Sequence, residues 1–155
     1  MAEIAAITWR EVELISRFVD LLNQEQEMLK RADATALPEI GAAKAKLVDQ
    51  LNGLENERRL ALDIDGSQTP RAAMDVWLKL HPDDREAAAN WKKLLELSRK
   101  AKQLHELNAG LVSMHLQQTS EALAILTQQP PRQTALYGSD GQAAQASTSR
   151  IVDKA

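Results

Sequence analysis

The chain has 155 residues, a formal net charge of −3 and no cysteine. Its 19 Lys and Arg residues nearly balance 22 Asp and Glu residues, which argues against a general nucleic-acid binder; disulfides, thiolate catalysis and cysteine metal sites are excluded. Neither a signal peptide nor a run of about 18 apolar residues is visible, so we expect a cytoplasmic protein without membrane insertion.

Apolar residues at steps of three and four predict a first helix over about residues 3–31 and a second over about 38–62. Pro38 fits the first turn of the second helix. The first helix has two adjacent apolar stripes, enough to contact two neighbours: Ile4, Ile7, Leu14, Phe18, Leu21 and Met28, then Val12, Ile15, Val19, Leu22 and Leu29. The residues expected to face inward from the second helix are Ile40, Leu47, Val48, Leu51 and Leu54.

Residues 63–68 form the clearest break in the chain, and a short third helix is predicted over about 70–80. Thr69 is its expected cap and Pro70 lies in its first turn. Its apolar side contains Met74, Trp77 and Leu78. The break superficially resembles a calcium loop, but Gly66 comes too early after the aspartates, and a helix-ending turn is the better interpretation.

A long fourth helix is predicted over about residues 83–128, before two prolines at 130–131. It would be roughly 70 Å long at about 1.5 Å per residue. Its first apolar stripe fails at His115 and Gln118, and a second, here called the C-terminal stripe, begins one residue further on. The two stripes are Leu94, Leu97, Ala101, Leu104 and Leu111, and Val112, Leu116, Leu123 and Leu126.

The C-terminal stripe has two explanations that the sequence leaves open. A straight helix drifts by about 20° per heptad against a 3.5-residue repeat, which alone can move a core stripe by one residue. Alternatively, the fourth helix is longer than the first two and extends past them, exposing a stripe that binds a partner. No strand-type alternation occurs. The sequence therefore predicts an all-α antiparallel helical bundle, coiled-coil-like, over residues 1–129, with a flexible polar tail over 130–155.

No group of residues suggests catalysis, a metal site or a cofactor. There is no nucleophile with a positioned base, no phosphate-binding glycine loop, and no metal-ligand spacing among His81, His105 and His115. The tryptophans at 9, 77 and 91 are expected to fill the core near the end of the bundle. The polar residues on the seam of the long helix, Asn108, His115 and Gln118, are expected to set the register of the bundle. We therefore do not expect an enzyme.

Several short segments occur in an order typical of one family. They are residues 21–25 with Leu29 and Asp33, Leu37 with Lys44 or Lys46, residues 54–59, Trp91, residues 108–111 and the tail segment 136–142. On these the chain resembles, over essentially its full length, the FlgN-type flagellar export chaperones, which are small all-helical proteins.

The resemblance implies a type III secretion chaperone that binds hook-associated (hook–filament junction) proteins, prevents their premature assembly and delivers them to the export gate. It places the grip on an amphipathic substrate helix at Val112, Leu116, Leu123 and Leu126, and docking to the gate at Tyr137. The alternative is a self-assembling structural or regulatory coiled-coil adaptor. A homodimer of the empty chaperone is also left open.

Overall fold

The structure is a computed structural model that describes residues 2–62 and 68–127, and this part of the chain is helical with no strands. Four helices follow in order: α1 Ala2–Lys30, α2 Leu37–Ala61, α3 Pro70–Leu80 and α4 Arg85–Leu126. The prediction of an all-α bundle with a very long last helix is confirmed. The chain divides into two compact units, residues 1–108 and 109–155.

Side-chain caps explain where α3 and α4 begin. The Ala72 N–H donates to the Thr69 hydroxyl oxygen at 3.1 Å, and Pro70 stands in the first turn, as predicted. The Ala87 N–H donates to the Asp84 carboxylate at 3.0 Å. Asp84 is therefore the cap, and α4 begins at Arg85 rather than at residue 83.

The end of α1 is built without glycine. Ala32 has a φ of 53°, in the left-handed region that L side chains rarely adopt. The Asp33 N–H donates to the Met28 carbonyl at 2.9 Å and the Ala32 N–H to the Leu29 carbonyl at 3.1 Å. These two bonds form a Schellman motif, which satisfies the last carbonyls of the helix.

The core of the first unit lies mainly between α1 and α4, and α3 adds the fully buried Met74. The residues of α3 predicted to face inward do so, because Trp77 and Leu78 pack on the same cluster. Both predicted stripes of α1 contribute, as does the first stripe of α4. The buried cluster comprises Ile4, Ala5, Val12, Ile15, Val19, Leu22, Met74, Ala87, Trp91, Leu94 and Ala101.

Polar contacts fix the directions of the helices. Arg10 pairs with Glu57 at 3.0 Å and Lys44 with Glu25 at 2.7 Å, so α2 runs antiparallel to α1. A buried ion pair, Glu11 with Arg58, joins the same two helices.

Two buried asparagines of α4 bind the backbone of α1. The Asn90 side-chain amide donates to the Ala5 carbonyl at 3.0 Å, and the Asn108 amide donates to the Leu22 carbonyl at 3.0 Å and to Glu25 at 2.9 Å. Because the earlier asparagine meets the earlier carbonyl, α4 runs parallel to α1. Asn108 was predicted to set the register of the bundle, which agrees with this placement. The same contact by Asn90 was not predicted.

Two residues predicted to be inside are not. Trp9 is 51% exposed, because the buried side of α1 at this level is taken by Thr8 and Glu11. Val48 is exposed because the buried residues of α2 form a narrow seam that includes Leu47, and the next residue along a helix points about 100° away. The prediction holds for the other tryptophans: Trp91 is buried and Trp77 partly so.

Candidate partner-binding surface

The described part of the second unit is the helical segment 109–126 with Thr127. The C-terminal stripe falls within it, at residue separations of four, seven and three. In an α-helix these separations place Val112, Leu116, Leu123 and Leu126 along one side of the segment. The four predicted grip residues therefore share a face from residue 112 to residue 126.

Most of this face is exposed. Leu123 is 55% and Leu126 79% exposed, Val112 is also exposed, and Leu116 is half-buried. No residue of 109–127 is buried, whereas the earlier part of α4 contains six. Drift of a core stripe does not account for leucines left in solvent, and the C-terminal stripe is exposed in the described structure.

The segment is also poor in charge. Glu121 is its only charged residue between 109 and 127. The Glu121 carboxylate accepts a hydrogen bond from the Gln117 side-chain amide at 3.3 Å. Depletion of charge together with exposed aliphatic side chains is typical of the central part of a protein-binding surface. The segment can therefore contact an apolar partner without removing many charges from water.

A second exposed apolar pair lies on another side of the same segment. Met114 and Ile125 are both exposed, and Met114 is two positions beyond Val112, which corresponds to about 200° around the helix. These two residues were missed because Gln118 and Glu121, which lie between them on the same side of the helix, are polar. The low charge of the segment was the available signal.

The other residues considered in the sequence do not belong to the C-terminal stripe. Tyr137 and the tail lie outside the described residues, as does the turn at 63–67. Gln118 is exposed in the segment. Within residues 2–62 and 68–127 no group of three His, Asp or Glu side chains could hold a metal ion. His81 ends α3, where its ring stacks on Trp77 with the centroids 4.1 Å apart.

The described residues form a helical module whose second unit has an exposed, charge-poor apolar surface. The chain belongs to the FlgN family: the family model described as FlgN protein matches residues 1–145. This is a family of flagellar chaperones of type III export, not a family of enzymes. The resemblance seen in the sequence is confirmed. No curated protein and no solved structure matches the chain. Among the described residues no helix is long and apolar enough to cross a membrane.

Proposed function

We propose that this protein is a cytoplasmic chaperone that binds hook-associated proteins of the flagellum through their amphipathic helices, prevents their premature assembly and delivers them to the export gate. The grip is the C-terminal stripe. The observation that supports it is the exposed, charge-poor apolar face of residues 109–126 in a member of a flagellar export chaperone family.

Binding of this kind lays the apolar side of one helix against exposed apolar side chains of another. Leu123 and Leu126 lose most water contact in such a complex, which stabilises it by about 25 cal/mol per Å² of apolar surface removed from water. The partner's own apolar face is covered at the same time. Because that face otherwise meets other subunits, covering it delays assembly.

The test compares two pairs of leucine substitutions in the full chain. Leu123→Asp with Leu126→Asp is expected to abolish binding of a peptide from the C-terminal helix of a hook-associated protein. Leu60→Asp with Leu80→Asp, at exposed leucines of α2 and α3, is the matched control and is expected to leave binding unchanged. Light scattering gives the mass with and without peptide, and circular dichroism monitors helicity.

Three results contradict the proposal. One is unchanged binding in the Leu123/Leu126 variant, and another is a loss of binding in both variants. The third is a tight dimer of the unsubstituted chain that is indifferent to the peptide, which would favour the self-assembling adaptor.

Tyr137 is proposed to dock the loaded chaperone on the export gate. The support is the sequence of the tail segment 136–142, which holds the only tyrosine of the chain within a polar, glycine-containing stretch. Tyr137→Ala is expected to leave peptide binding unchanged and to lower the amount of hook-associated protein exported by cells. Weaker peptide binding in this variant would assign the tail to the grip instead.

A further inference from the structure

The helical segment of the second unit has apolar residues on two sides. A second line of residues, here called the opposite stripe, comprises Met114, Gln118, Glu121 and Ile125. Their separations of four, three and four residues place them along one side of the helix. Met114, Gln118 and Ile125 each follow a residue of the C-terminal stripe by two positions, which is about 200° around the helix. The two stripes therefore lie on nearly opposite sides.

Both stripes are exposed to water. Ile125 is 74% and Met114 46% exposed, and Gln118 and Glu121 are exposed as well. Among the described residues 11 large apolar side chains are exposed, and those between positions 112 and 126 are Val112, Met114, Leu123, Ile125 and Leu126. Much of the exposed apolar surface is therefore concentrated on this one segment, on both of its sides.

The first helix shows what two apolar stripes do in this molecule. α1 packs between two neighbours, with a shared apolar core on the side of α4 and a buried ion pair to α2. A helix contacts one neighbour through a stripe of roughly 100°. One partner helix laid on the C-terminal stripe therefore leaves Met114 and Ile125 in water, and covering both sides of the segment takes two helices.

The polar centre of the opposite stripe selects the chemistry of the second helix. Met114 and Ile125 are the apolar ends, and Gln118 and Glu121 lie between them. The Glu121 carboxylate accepts from the Gln117 amide, and a carboxylate has acceptor sites for further donors. A carboxylate inside a contact is stabilised by a Lys or Arg that donates to it. The complementary helix therefore has apolar residues at both ends of the contact and a basic residue between them.

We propose that residues 109–126 pack between two helices of one partner protein. The C-terminal stripe contacts the first helix, and the opposite stripe contacts a second, amphipathic helix with a Lys or Arg beside Glu121. This inference rests on the proposed function, since the first helix is the one that the C-terminal stripe binds. Because the two helices are linked in one chain, the second one binds as an intramolecular step and raises the affinity for the whole partner.

The test compares a full-length hook-associated protein with the peptide from its C-terminal helix, each titrated calorimetrically into the full chain. The full-length protein is expected to bind at least about tenfold more tightly. Met114→Asp with Ile125→Asp is expected to remove this difference and to leave the affinity for the peptide unchanged.

Three results overturn the inference: equal affinity of the unsubstituted chain for protein and peptide, undiminished binding of the protein by the Met114/Ile125 variant, and weaker binding of the peptide by that variant. Failure of the proposed function has a different signature, since Leu123→Asp with Leu126→Asp then leaves peptide binding unchanged. Circular dichroism checks that the variants keep their helicity.

A charge reversal tests the basic residue on the second helix. Glu121→Lys is expected to weaken binding of the full-length protein at least about tenfold, because two like charges then meet, and to leave peptide binding unchanged. Glu106→Lys, at an exposed carboxylate of α4 outside the segment, is the matched control. Undiminished binding by Glu121→Lys overturns the inference. So does a complex with two copies of this chain by light scattering, in which a second copy covers the opposite stripe.

Discussion

The two parts of α4 use the same helical geometry for opposite purposes. Residues 85–108 bury Ala87, Asn90, Trp91, Leu94, Ala101 and Asn108 and carry many charges on their other sides. Residues 109–126 bury none and carry one charge. In the first part the apolar positions stabilise the fold, whereas in the second they are exposed and available to a partner. Helical periodicity is similar in both, so charge and burial, rather than pattern, distinguish a core face from an exposed apolar face.

The largest expected effect is on the stability of the first unit, at the buried ion pair of Glu11 and Arg58. Glu11→Leu should lower the free energy of unfolding by about 3–5 kcal/mol, because the guanidinium of Arg58 keeps its charge when buried without a partner. Arg58→Met should cost less, since the Glu11 carboxyl left behind can take up a proton. Urea denaturation at neutral pH measures both.

The control is the half-exposed pair of Arg10 and Glu57, where Arg10→Ala should cost no more than about 1 kcal/mol. The double variant Glu11→Leu with Arg58→Met should cost less than the sum of its parts. Equal costs at the buried and exposed pairs would contradict the difference in stability between buried and exposed contacts.

The same pair makes stability depend on pH. Burial raises the pKa of the Glu11 carboxyl, and the charge and hydrogen bond of Arg58 offset this only partly. A raised folded-state pKa means that the contribution of Glu11 is fully present below its unfolded pKa and is lost as pH rises through the folded value. As pH rises from the unfolded pKa of Glu11 to its folded pKa, the unsubstituted chain should therefore lose stability relative to the Glu11→Gln variant. A difference that is constant with pH would contradict the assigned direction.

A smaller effect is expected at the polar seam. Asn108→Ala should cost about 1–2 kcal/mol, since it removes two hydrogen bonds to α1. Gln118→Ala, an amide residue on an exposed part of the same helix, should change stability by less than about 0.5 kcal/mol. Thermal unfolding of both variants sharpens the comparison, and a larger loss at Gln118 would show that the second part of α4 also supports the fold.

The smallest expected effect is a gain. Gly110→Ala should stabilise the helix by up to about 1 kcal/mol, because nothing lies within 4 Å of the added methyl group and glycine weakens a helix interior. The control is Gly53→Ala in α2, where the added methyl group also has nothing within 4 Å. Hydrogen exchange resolves where the gain appears. Slower exchange confined to residues near 110 would show that this segment opens independently, whereas global slowing would show that it unfolds with the rest.

The sequence predicted what depends on local signals and missed what depends on buried polar groups. The cap at Thr69 and the apolar side of α3 follow from short-range rules. No ion pair between Glu11 and Arg58 was predicted, although each is at a seam position: Glu11 lies seven residues from both Ile4 and Phe18, and Arg58 four from Leu54. Only three-dimensional packing shows that opposite charges on two seams meet. Trp9 was misplaced for the same reason, since pattern reasoning assigns interior positions to apolar residues.

The spacing of the two buried asparagines limits how this fold can change in length. Asn90 and Asn108 are 18 residues apart, which is five helical turns, and the carbonyls that they bind, at Ala5 and Leu22, are 17 apart. An insertion of one residue between the asparagines would rotate one of them about 100° away from its carbonyl. A relative with a longer bundle therefore has to gain whole turns in α1 and α4 together, so insertions in these two helices should be found as matched pairs.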